Sequence, residues 1–253
     1  MCGGRQSRGN LSPRLGRMRN HLFALLPEAD RRRLHAVADT VELRLGEVLC
    51  ERGDPTLHVW FPIGGFISLV TCVDGHPGLE VGMVGSEGMV GIQLVTGIAR
   101  VPVRAVVQGD GPALRIAAED FRRELAASPA LDATLRRYLY VLMAQLTSSA
   151  ACLRFHSIGP RLARWLLMSQ DRAEADSFRI THEFLGYMLG VRRVGVTEAA
   201  GTLQREGLIE YHRGQLTVLD RGGLEAAACS CYETDAQVYI DWLGAAGTLN
   251  LAA

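Results

Sequence analysis

The sequence predicts an α+β fold: an N-terminal antiparallel β-roll of the jelly-roll kind, a long helix, and a C-terminal winged helix-turn-helix. Three observations predict it. From His58 to Gly97, β-branched and aromatic residues alternate with Gly-Gly, Asp-Gly and Ser-Glu-Gly turns, the pattern of several short antiparallel strands. Leu135, Leu139, Leu142, Leu146, Ser149 and Leu153 then recur at spacings of four, three, four, three and four. From Ile180 to Ile209, two short helical periodicities meet at Gly190, and two strand-like runs follow.

Taken in order, residues 1–20 carry five arginines and no acid, which suits a mobile basic tail. The run from His21 to Leu43 reads as a short amphipathic helical segment. LGEVLCERGDP, punctuated by Gly46, Gly53 and Pro55, continues with brief strands, so the roll is expected over 21–128. The helix beginning near Leu131 (domain 129–158) presents a leucine stripe, with Leu135, Leu139, Leu142, Leu146 and Leu153 as candidate dimerisation residues in a coiled-coil seam. The same stripe could instead pack on its own β-roll, or the helix could carry two stripes. Gly159-Pro160 marks a hinge before the third domain, 159–225.

In that third domain, Phe184, Leu185, Met188 and Leu189 form one helical face, and Gly190 stands where a helix stops in the left-handed conformation. Val194, Val196, Ala199, Ala200 and Leu203 supply the buried stripe of the next helix. Arg192, Arg193, Thr197, Glu198 and Thr202 are left near its open side, a helix shaped for a major groove. Paired arginines at a helix start suit this: one guanidinium can bond guanine O6 and N7 while its neighbour holds a phosphate. Leu208 and Ile209 lead into a hairpin with a polar turn from Tyr211 to Gly214. The segment 226–253, with Val238, Ile240, Trp242 and Leu243, suggests an added helix packed on the winged domain.

These residues resemble the Crp/Fnr family of bacterial transcription regulators: the segment from Ile180 to Ile209 aligns without a gap, and LGEVLCERGDP and GSEGMVG are similar to the family's effector domain. The resemblance covers about residues 21–225. It implies a DNA-binding, cytoplasmic homodimer, with double-stranded DNA and RNA polymerase as partners, whose effector alters the placement of two recognition helices. Base reading from the first turns of the recognition helix carries over to Arg192, Arg193, Val194, Thr197 and Glu198; Thr181 and the wing's Arg213 complete the DNA-facing set. Glu198 stands where relatives commonly have a basic residue and Val194 where many have an acid, so their base preferences do not transfer. The alternative is a small-ligand or cyclic-nucleotide sensing module that acts through protein contacts.

In nucleotide-binding relatives a glycine and glutamate hold the ribose side of a phosphate cassette. Here Gly88 matches the glycine but Met89 replaces the glutamate, and a thioether cannot accept from a ribose hydroxyl; Glu87 lies two residues early. Arg100 and Arg104 are the arginines available downstream, neither followed by a hydroxyl residue. Gly88, Met89, Arg100 and Arg104 are thus the candidate effector residues, and ordinary cyclic-AMP binding is not expected.

Composition narrows the classes further. Formal net charge is zero, and the 27 basic residues are all arginine, so affinity for DNA must come from where arginines point. No apolar run approaches the roughly 20 residues needed to span a bilayer, so no membrane is expected. Six scattered cysteines without a signal peptide fit a reducing compartment. They lack iron–sulfur spacing, so no such cluster is expected. Cys229 and Cys231 place two thiols together, open to metal or oxidation, but lack partner spacing and read as structural, with no metal assigned. His58, His76 and His156 read as loop or surface residues. No nucleophile elbow, P-loop or HExxH motif occurs, so catalytic residues are not expected.

Overall fold

The computed structural model describes residues 20–75, 78–173 and 175–244. Helices α1 (His21–Ala24) and α2 (Glu28–Ala36) lead into strand β1 (Ala38–Leu43), so the latter part of the expected helical segment is a strand. Val41 and Leu43 alternate there with Thr40 and Glu42, a two-residue period that favours a sheet edge. Asn20, expected in the tail, is a buried cap: its Oδ1 accepts from the Leu22 amide, while Nδ2 donates to the Pro62 and Gly88 carbonyls at 3.0 and 2.7 Å.

Strands β2 (Val48–Cys50), β3 (His58–Pro62), β4 (Phe66–Thr71), β5 (Leu79–Val84), β6 (Arg104–Gly109) and β7 (Gly111–Ala117) complete the roll. Two antiparallel sheets face each other, ordered β1-β7-β3 and β2-β6-β4-β5. Their inward side chains, among them Val59, Phe61, Ile67, Val84, Val107 and Ile116, form the main core. A 3-10 turn, Ile92–Thr96, closes one end between two left-handed glycines, Gly91 and Gly97.

Helix α3 (Ala118–Ala127) ends at Ser128, whose hydroxyl caps α4 (Pro129–Phe155) by accepting from the Leu131 amide at 3.1 Å. Proline at the first helical position fits because no intrahelical partner is lost there. The leucine stripe of α4 turns inward. Leu135 and Leu142 are buried in the core of the roll, and Leu139 and Leu146 pack against it. Leu153 lines a cleft with Arg161 and Trp165. The stripe expected as a dimer seam is therefore the helix's attachment to its own β-roll. The physical reason is supply: the open end of the roll needs an apolar lid, and α4 is the element connected to it.

Helix α5 (Ile158–Ala173) opens the third domain, followed by β8 (Ser177–Arg179), α6 (His182–Leu189), α7 (Arg193–Arg205), β9 (Ile209–His212) and β10 (Gln215–Val218). The wing is a three-stranded sheet, β8-β10-β9; its strand β8 has no counterpart in the sequence reading. Leu166, Leu185, Val196, Leu203 and Leu216 form a second core.

Helices α8 (Arg221–Ala227) and α9 (Cys231–Leu243) follow. The expectation that this extension packs on the winged domain holds for its start, where Tyr232 joins the second core, but the rest of α9 lies along α4, and its Tyr239 and Leu243 belong to the core of the roll. No helix among the described residues is long and apolar enough to cross a membrane.

Candidate nucleic-acid interface and effector cavity

The helix-turn-helix forms because each boundary is locally specified. Thr181 caps α6, its Oγ1 accepting from the Phe184 amide at 3.1 Å. Gly190 ends it in the left-handed region (φ 63°, ψ 37°), and Val191 N–H returns to the Gly186 carbonyl at 2.9 Å. A side chain on Gly186 would sit 3.0 Å from the Val191 carbonyl, so the turn needs glycine there as well. Arg192 then adopts the extended conformation of an N-cap, and α7 begins at Arg193.

All the residues expected to face DNA are exposed. Arg192, Arg193, Val194, Thr197 and Glu198 are exposed along the first turns of α7, Val194 at 66% despite being apolar. Thr181 is exposed beside them. Arg213 sits at the tip of the wing in a two-residue loop with Gly214; both have positive φ (48° and 82°), the twist that matches flanking antiparallel strands. Its guanidinium is thereby carried to the hairpin's outermost point. The Thr197 hydroxyl is already engaged, donating to the Arg193 carbonyl and lying 3.0 Å from His182 Nδ1.

The sequence reading passed over His182. Its ring stacks on Tyr211 at 4.3 Å and links α6, α7 and β9. Burial, and secondarily the Arg193 charge, hold its pKa below the ordinary value. Alternation around Tyr211 hinted at a strand, but nothing in the sequence paired it with a histidine 29 residues earlier.

The candidate effector residues divide differently. Met89, 1% exposed, lines an apolar cavity of about 310 Å³ between the two sheets and α4. Leu142 and Leu146 close it from the helix side, while Thr56, His58 and Gln93 supply polar atoms. Arg100 and Arg104 do not line it. Arg100 donates to the Gly53 carbonyl at 2.8 Å, and Arg104 pairs with Glu51 at 3.1 Å, both near the surface. Gly88 is required by packing, since a β-carbon there would overlap the Tyr138 hydroxyl. Among the described residues no arginine lines the cavity and Asp54 does, so a phosphate would be left uncompensated there.

Glu87 is committed elsewhere. Its carboxylate pairs with Arg172 of α5 at 2.8 Å, both side chains below 5% exposed, and its backbone carbonyl accepts from the Tyr239 hydroxyl at 2.5 Å. The loop Gly85–Met89 thus touches the tip of α1, α4, α5 and α9. A second tie joins the halves: Trp165 Nε1 donates to Glu80 of β5 at 2.8 Å.

Comparison with known proteins agrees with this geometry. Residues 160–227 match the Crp-like helix-turn-helix domain. That segment is therefore similar to the DNA-binding domain of Crp-type proteins. Solved structures share the fold. A Crp-family transcriptional regulator of Thermus thermophilus is 18% identical with a TM-score of 0.63, covering 74% of this chain and 96% of its own. A second Crp/Fnr regulator of that organism is 22% identical with a TM-score of 0.61, covering 75% and 98%. The c-di-GMP-responsive global regulator CLP of Xanthomonas campestris is 19% identical with a TM-score of 0.61, covering 76% and 99%. No curated protein matches the sequence significantly.

Proposed function

We propose that this chain is a sequence-specific DNA-binding regulator of the Crp/Fnr type that acts as a homodimer on a two-fold-symmetric operator. The observation that carries this is the exposed set Arg192, Arg193, Val194, Thr197 and Glu198 at the start of α7, flanked by Thr181 and the wing-tip Arg213. Arg192 and Arg193 reach base edges or phosphates, Val194 meets a thymine methyl, Glu198 accepts from cytosine N4, and Arg213 holds the backbone.

The dimer contact is the outer face of α4. Arg136, Tyr140, Met143, Thr147, Ala150 and Arg154 are all exposed and follow spacings of four, three, four, three and four. Trp242 of α9, 49% exposed, packs edge-on against Tyr140 and widens this apolar strip. A second copy is the occupant because one continuous heptad stripe is self-complementary about a two-fold axis parallel to the helix, which sets two recognition helices on successive major grooves.

The effector is an uncharged, largely apolar small molecule seated in the roll cavity. Contact with Leu142 and Leu146 would shift α4 and with it the DNA-binding half. In vitro selection from randomised duplex DNA, at low and moderate salt, tests the main reading. An enriched symmetric site is expected; salt-sensitive binding without sequence preference would refute it.

A further inference from the structure

Four side chains that the DNA-binding reading leaves unused converge where the long helix ends. Cys152 lies in the last turn of α4 and His156 is the extended residue that caps its end; Cys229 and Cys231 flank Ser230 at the junction of α8 and α9. All four donor atoms lie within 4.8 Å of one another. Cys152, Cys229 and Cys231 are buried and His156 is partly buried. The sequence reading placed Cys229 and Cys231 in a structural role and His156 on the surface, because their partners are over seventy residues away. The fold supplies those partners.

We propose that Cys152, His156, Cys229 and Cys231 bind one zinc-class divalent ion in a closed tetrahedral site. Three soft thiolates and one imidazole form a donor set typical of structural zinc, and four protein ligands leave no position for water or substrate. The spacing agrees. With metal–sulfur bonds of about 2.3 Å and metal–nitrogen bonds of about 2.0 Å, tetrahedral angles put sulfur–sulfur edges near ~3.8 Å and sulfur–nitrogen edges near ~3.5 Å. Cys152 Sγ and Cys229 Sγ are 3.5 Å apart, and Cys231 Sγ lies 3.6 Å from His156 Nδ1. Donors this close surround a single ion rather than a multi-iron cluster. A Cys152–Cys229 disulfide would use two of the four and give Cys231 and His156 no part.

The supporting contacts fit as well. The Cys229 amide donates to the Pro160 carbonyl at 3.3 Å and the His156 amide to the Cys152 carbonyl at 3.1 Å, so the backbone fixes ligands on both segments. Binding releases the thiol protons to solvent, and three thiolates with a dication leave one net negative charge. Arg161 lines the adjoining cleft with Cys152 and offsets that charge, while its neighbour Arg164 pairs with Asp235 at 2.6 Å. The ion would tie α9 to the joint between α4 and α5, where the sensory and DNA-binding halves meet.

Cobalt(II) titration of the reduced, chelator-treated full chain tests this, because tetrahedral cobalt thiolates absorb intensely in the visible. Expected are one cobalt per chain, its displacement by zinc, and a rise in Tm on binding. Cys152→Ser or Cys229→Ser should abolish the band, His156→Ala should weaken binding at least tenfold, and exposed Cys72→Ser should change nothing. Circular dichroism of the metal-free variants checks that they fold. Absence of a tetrahedral band in reduced protein, or a band that survives Cys152→Ser and Cys229→Ser, would overturn the proposal. So would a protein that yields only a Cys152–Cys229 disulfide and takes up no metal once reduced.

Discussion

Replacing Glu80 by glutamine should remove a pH dependence from this protein's stability. Glu80 is partly exposed along its stem, but its carboxyl is covered by the Trp165 indole and the Ser68 hydroxyl. Burial pushes its pKa from the ordinary 4.5 to about 7, against smaller opposing pulls from those two hydrogen bonds and from Arg172 and Arg164. The folded state therefore holds this proton more tightly than the unfolded chain. The stabilisation is complete below pH 4.5 and declines as pH rises, levelling off above about 7. At about 1.4 kcal/mol per unit, the interval corresponds to on the order of 3 kcal/mol. The amide of Glu80→Gln can accept from Trp165 and donate to Ser68 without ionising. Urea unfolding of both proteins between pH 4.5 and 8 checks this. The variant should gain stability relative to wild type across that window by up to about 3 kcal/mol. A difference that stays flat with pH, or grows toward acid, would refute the assignment. Comparing the two proteins cancels the other titrating groups, His58 and His182 included.

The buried Glu87–Arg172 pair gives a second test. Glu87→Ala should cost about 3–5 kcal/mol by leaving a buried guanidinium unpaired, and replacing both residues with methionine should restore most of that in urea unfolding. Leu142→Asp should lower the Tm of the roll itself. Met143→Asp, one residue on, should split the dimer in sedimentation experiments while leaving the Tm of the roll intact. Arg193→Ala should lose about 1–3 kcal/mol of preference at particular base pairs, whereas Arg213→Ala should weaken all sequences alike and lower the salt slope by about one, both read by fluorescence anisotropy.

The parts legible in sequence were those fixed by local chemistry. Thr181, Gly190 and the paired arginines specify the helix-turn-helix within a dozen residues, because caps and left-handed glycines act on their own neighbourhood. The roll was legible as a class, though β1 passed for helix because its alternation is short and follows a helical run. Leucine spacing revealed that α4 has an apolar face, but spacing cannot say what covers it. That depended on the cavity of the roll, a long-range fact. Met89, singled out as a departure from a phosphate cassette, lines the apolar cavity of the roll, whereas Arg100 and Arg104 were placed by proximity in sequence and proved to hold the loop at Gly53 and the side chain of Glu51. His182 stacked on Tyr211, and Cys152 beside Cys229, depend on contacts that no local pattern encodes.

Tyr239 and Leu243 insert near the end of the chain into a core built mostly before residue 143, and the Tyr239 hydroxyl reaches a carbonyl 152 residues earlier. A chain emerging from the ribosome would therefore complete its recognition helix while the roll still lacked its last wall. The order of maturation would run opposite to the order of synthesis, with the N-terminal roll finishing last. Cutting the roll out at residue 128, or trimming the chain after the wing, would leave apolar surface bare that the intact protein covers with α9.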